Sequence, residues 1–105
     1  MRVISRRALR EFWEIHPLAK APLSAWHRVM EQTRFADFNA IKAAFPAADY
    51  VAPFTIFDIG GNKFRLITAI HHNTGLVYVR HVFTHPEYDE WSDDRRRRKR
   101  PKRGK

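Results

Sequence analysis

Three runs rich in β-branched and aromatic residues, "FTIFDI" (54–59), "KFRLITAIHH" (63–72) and "LVYVRHVFT" (76–84), are parted only by "GGN" and "NTG". Gly and Asn tolerate the positive φ that tight connections need, so the spacing predicts an antiparallel meander of three strands. A meander this rich in apolar residues has to bury at least one face. The residues before it must therefore supply what covers it.

"RVIS" (2–5) reads as a short first strand extending the meander, with Ser5 as the N-cap of a helix. Leu9, Phe12, Trp13 and His16 then keep the spacing of one helix face, and Pro17 ends it. A second helix is expected from Pro22, with Leu23, Trp26, Met30 and Thr33 along one side. Asp37 can cap a third helix carrying Phe38, Ile41 and Phe45, stopped by Pro46. Packing in a core is the reading these aromatics favour. The order predicts an α+β domain, with the N-terminal strand and helices packed on one face of an antiparallel β-meander. The other face is expected to be free to bind something.

A chain of 105 residues with 44% hydrophobic content can build one modest core and no more. With no cysteine, disulfides and thiolate metal sites are excluded, and the reducing cytoplasm is the expected compartment. No run is apolar enough for a signal peptide or a membrane span, so no membrane partner is expected. The net charge of +9 points to a polyanionic partner, yet it is unevenly spread. Residues 95 to 105, "RRRRKRPKRGK", hold nine of the twenty basic residues, leaving eleven Lys and Arg against eleven Asp and Glu. The chain is therefore divided into a domain at 1–91 and a basic tail at 92–105, expected to be disordered because like charges repel. Salt-sensitive binding to RNA and simple solubilisation both fit such a tail.

Register decides which polar side chains of the meander meet. If His72 pairs with Gly75, Arg65 lies opposite Val82 and Arg80 opposite Ile67, and Arg65, Ile67, Tyr78 and Arg80 share a face. Two arginines side by side repel unless an anion lies between them, and a phosphate matches the guanidinium fork. Separate pairing of each with a surface carboxylate is the reading the strand pattern alone favours. In "THPEYDEW" (84–91), His85 can serve as general acid or base and Tyr88 can stack on a base or share in proton transfer. Both belong at the sheet rim. His71 and His72 are adjacent and point to opposite faces, so no metal site is expected, nor any cofactor. This kit suits RNA cleavage by 2′-hydroxyl attack on the adjacent phosphate, with Arg65 and Arg80 stabilising charge and His85 or Tyr88 moving protons.

The segments "MRVIS", "AIKAAFPAADYV", "FDIGGNKFRLI" and "VYVRHVFTHPEYDEW" resemble, in order and spacing, the HigB toxins of the wider RelE/ParE-like group. The resemblance covers roughly residues 1 to 91, and "GGNKFRL" together with "THPEYD" is its most specific part. It implies a compact α+β fold, ribosome-dependent cleavage of mRNA, and neutralisation by a helix-turn-helix antitoxin of the HigA kind. It also implies that Arg65, Arg80, His85 and Tyr88 carry catalysis, with Lys63 of the same motif as a phosphate contact. Tyr78, on the face expected for the two arginines, is the other RNA contact expected. Two other functions are kept beside it: a ParE-like gyrase poison and a non-catalytic RNA-binding module.

Overall fold

A computed structural model describes residues 1–99. The elements run β1 (Arg2–Ile4), α1 (Arg6–Ile15), a 3-10 turn (Pro17–Ala19), α2 (Lys20–Gln32), α3 (Phe38–Ala44), β2 (Asp49–Val51), β3 (Phe54–Ile59), β4 (Phe64–His71), β5 (Leu76–Thr84) and α4 (His85–Lys99). One five-stranded sheet has the order β1-β5-β4-β3-β2. The expected meander is its centre, and β1 joins parallel to β5, with Val3 opposite Val77. The fold class is α+β, as the residue pattern requires.

One sheet face is closed by α1, α2 and α3. Leu9, Leu23, Trp26, Met30 and Ile41 meet Phe57, Leu66 and Val77 there, all at most 2% exposed. Trp26 and Phe45 both approach Phe57 edge-on, the ring arrangement that aromatic quadrupoles favour. Asp37 caps α3 as expected, accepting from the Ala40 N–H at 3.0 Å.

Several expectations need correction. Ser5 stands at the N-cap of α1 in the left-handed region, φ 74°, and its side chain caps nothing. The second helix starts at Lys20, before Pro22, because Pro17 opens a 3-10 turn that leads straight into it. Thr33 falls outside it, in extended backbone. Strand β2 was not foreseen. Only three residues long, it pairs with β3 at the sheet edge.

The largest correction concerns the second sheet face, which is not wholly free. Helix α4 lies across part of it, from the end of β5 over Arg65 of β4 to Phe54 of β3. Trp91 packs within 5.8 Å of Phe54 and Phe83, and Arg95 lies over both Phe54 and Trp91 at about 5 Å. Arg95 also donates to the Ala52 carbonyl at 3.2 Å. Beneath this layer, Ile56 and Ile67 are buried on a face opposite to the helical core. Residues 92–99 are consequently helical rather than a disordered tail, and α4 runs through the 91/92 boundary. Arg and Lys are good helix formers, and Arg96 and Arg97 pair with Asp93 and Asp94 one turn earlier. The rest of the expected tail, 100–105, lies outside the described residues.

Two substitutions check this packing by urea denaturation. Phe57→Ala is expected to cost about 3–5 kcal/mol through a core cavity, and Asp37→Ala about 1 kcal/mol through a lost cap. Equal effects would contradict the placement of Phe57 at the centre.

Candidate functional site

The β3–β4 connection takes Gly60, Gly61 and Asn62 through three successive positive φ values, 67°, 62° and 79°. Only a sequence such as "GGN" turns this way cheaply. The resulting register sets Asp58 directly opposite Arg65. The two side chains form an ion pair, Nη1 to Oδ1, with only 13% of the Arg65 side chain exposed. Nη2 of Arg65 donates to Asn62 Oδ1, and Nη1 donates to the Phe64 carbonyl at 3.3 Å. The guanidinium also lies 5.5 Å from the centre of the Tyr88 ring, at cation–π range.

Tyr88 reaches that position because α4 starts immediately after β5. Thr84 and Glu87 make a reciprocal capping box: the Thr84 N–H donates to Glu87 Oε1 at 2.8 Å, and the Glu87 N–H to Thr84 Oγ1 at 3.4 Å. The His85 N–H donates to the Lys63 carbonyl at 3.2 Å, tying the helix to the hairpin turn. One turn along α4, Asp89 Oδ2 lies 3.2 Å from His85 Nδ1. The carboxylate lies on one side of the imidazole, and 42% of the His85 side chain is exposed.

Lys63, Arg65, His85 and Tyr88 are thus gathered where the hairpin turn meets the N-terminus of α4. They combine a held cation, a histidine oriented by a carboxylate, and a phenol. Such groups can take a proton, return one, and stabilise charge on a phosphate between them. Asp58, Asn62 and Asp89 belong to the same assembly and were not singled out from the sequence. The Asp89 signal was legible, four residues after His85 in a helix. The Asp58 signal required the hairpin register.

Arg80 and Tyr78 lie elsewhere. The expected register holds near the β4–β5 connection, where His71 faces Leu76 and Ala69 faces Tyr78, but a bulge between Ile67 and Thr68 shifts it by one residue. Arg65 consequently faces Phe83, not Val82, and Ile67 faces His81, leaving Arg80 as the extra residue. Val79 and Val82 both pack toward the helical core, so Arg80 and His81 between them turn to the second face. The arginine pair split by an anion is not what the strands present. Arg65 meets a carboxylate, while Arg80 is exposed and has no ion-pair partner among the described residues.

His81 stacks on Phe83 at 5.0 Å and approaches Trp91 at 5.7 Å. Burial of its ring, and then the Arg80 charge, lower its pKa below the ordinary histidine value. Among the described residues no cluster of His, Asp and Glu is disposed to hold a metal ion, and no helix is long and apolar enough to cross a membrane.

Residues 19–91 match the family described as HigB_toxin, the RelE-like toxic component of a toxin-antitoxin system. The chain is 32% identical over 92 residues to the protein named mRNA interferase toxin HigB of Escherichia coli (strain K12), covering 85% of this chain and 88% of that one. The mRNA interferase HigB of Shigella flexneri aligns with the same identity and coverage. That of Escherichia coli O6:H1 is 30% identical over 93 residues, covering 86% of this chain and 90% of that one.

Two measurements check the site. A histidine whose folded-state pKa is depressed holds its share of stability above the ordinary pKa and loses it as pH falls through the depressed one. Arg80→Gln should therefore raise the NMR titration midpoint of His81 without restoring the ordinary value, and reduce the stability lost on acidification. No movement would exclude the Arg80 charge as a cause. Asp58→Ala, which strands a largely buried guanidinium, should cost about 1–3 kcal/mol in urea denaturation. A neutral effect would contradict the ion pair.

Proposed function

Because this chain belongs to the HigB family of RelE-like toxins, we propose that it is an mRNA interferase, an endoribonuclease that cuts mRNA and so blocks translation. The observation that carries the reading is the Arg65–Tyr88–His85 assembly, in which three elements converge on a partly open point of the surface. In the proposed reaction the 2′-hydroxyl attacks the adjacent phosphorus, giving a 2′,3′-cyclic phosphate and releasing the 5′-oxygen. His85 Nε2 removes or returns a proton, with Asp89 holding Nδ1. Arg65 is positioned by Asp58 and Asn62 to meet charge as it develops, and Tyr88 is the second proton-transferring candidate. Lys63, exposed in the turn, contacts the phosphate of a neighbouring nucleotide. Arg80 enters as a cation on the path of the strand, and Tyr78 as an RNA contact. These groups supply acid, base and charge stabilisation without recourse to a metal.

Cutting of mRNA on the translating ribosome is part of the proposal. Membership of a toxin–antitoxin family implies an antitoxin partner, and a helix-turn-helix, HigA-like protein is the partner proposed.

Primer extension on a reporter mRNA, in a purified translation system with and without ribosomes, tests this. His85→Ala should slow cutting about 10²- to 10⁴-fold, and Arg65→Ala about 10²- to 10³-fold, with ribosomes required for the wild-type cuts. Unchanged cutting in His85→Ala would remove it from catalysis. An intact mRNA accompanied by DNA-damage signalling in expressing cells would point to a ParE-like action on gyrase instead.

A further inference from the structure

Helix α4 covers only one side of the second sheet face, and what it leaves open has its own chemistry. Alternation along the strands places Ala69 and His71 of β4, and Leu76 and Tyr78 of β5, on this open side. Val3 faces the core with Val77, so its neighbours Arg2 and Ile4, opposite Leu76 and Tyr78, belong to the same face. Tyr78 and His71 meet edge-on, ring centres 5.3 Å apart at 85°. The exposed Arg2 stands toward one end of this pair and the exposed Arg80 toward the other. No carboxylate is among these strand residues, and neither arginine has an ion-pair partner among the described residues.

Aromatic rings bounded by unpaired guanidinium groups, without acids, suit an unpaired nucleobase stacked on a ring with its flanking phosphates on the cations. A protein partner would gain little from two unanswered cations around so small an apolar patch. Tyr78 lies across from Ala69, four residues from Arg65 along β4, or about 13 Å at the usual strand rise. A short single strand spans that distance, so a base here belongs to the same RNA as the scissile phosphate, a few nucleotides away.

We propose that Tyr78 and His71, flanked by Arg2 and Arg80, form a base-stacking subsite that selects where a single-stranded RNA is cut. This rests on the reading of the chain as an RNA-cutting toxin and adds a determinant of cut position separate from the Arg65–His85 assembly. Stacking is strong, and differences in stacking strength between bases give it a modest preference, so losing it changes affinity and the distribution of cut positions more than the chemical step.

The test maps every cut on a set of mRNAs in the purified translation system, at graded protein concentrations, for wild type, Tyr78→Ala, Tyr78→Phe, His71→Ala and Arg2→Gln. Tyr78→Ala should need about tenfold more protein for half-maximal cutting and shift the distribution of cut positions. Tyr78→Phe, which keeps the ring, should retain the wild-type distribution. His71→Ala should shift the distribution in the same direction as Tyr78→Ala, and Arg2→Gln should weaken the salt dependence of half-maximal cutting. Wild type cutting normally, with Tyr78→Ala and His71→Ala cutting at the same positions and concentrations, would overturn the subsite alone. Absence of cutting by wild type would overturn the nuclease reading and the subsite with it. If Tyr78→Ala does not fold, His71→Ala and Arg2→Gln alter exposed side chains and decide the matter.

Discussion

An arginine side chain only 13% exposed on a sheet face must be answered by an anion, or the strand that carries it is penalised heavily. Asp58 is that anion, and it can be so only because the β3–β4 hairpin closes in one register. Three consecutive left-handed residues at Gly60, Gly61 and Asn62 enforce that register, and Asn62 then accepts from the same guanidinium it helped to place. The turn, the ion pair and the position of Arg65 form one linked unit. Slipping the hairpin by a residue would send Arg65 into the helical core.

Helix α4 depends on that unit and in turn completes it. Its first turn is fastened by the Thr84–Glu87 box and by the His85 amide on the Lys63 carbonyl. Its middle is anchored by Trp91 and Arg95 on Phe54. Between those anchors Tyr88 is left over Arg65, while His85 and Asp89 share the outer edge. The helix also divides the second face. One side becomes a small apolar layer over Ile56 and Ile67, and the other keeps its arginines and rings in the open. The β5 bulge falls between these regions, which is why Arg80 is turned outward rather than paired across the ladder.

Much of this was legible in the residues. Period-two runs and the "GGN" and "NTG" separators marked the meander, Asp37 marked its helix cap, and "THPEYD" marked the rim residues. The rest was hidden for identifiable reasons. Nothing local announces the bulge at Arg80, since the strand pattern on either side of it is regular. Strand β2 is too short to carry a pattern. The charge of the "RRRRKRPKRGK" run argued for disorder, but over 92–99 acids one turn before the arginines, with Arg95 covering an aromatic face, favour helix instead. Asp58 was invisible as a partner because its role exists only after the hairpin closes. The family resemblance correctly indicated the class of protein, while the division of the sheet face could be read only from the fold.

The central claim is that Arg65 and His85 act as one unit at the meeting of the hairpin turn and α4. A double-mutant cycle in single-turnover mRNA cleavage tests it most directly, because groups that act together lose their combined effect when either is removed. The expected result is a double variant, Arg65→Ala with His85→Ala, that cuts no more slowly than the slower single variant. Losses that simply multiply would show two independent contributions and contradict the assembly described here.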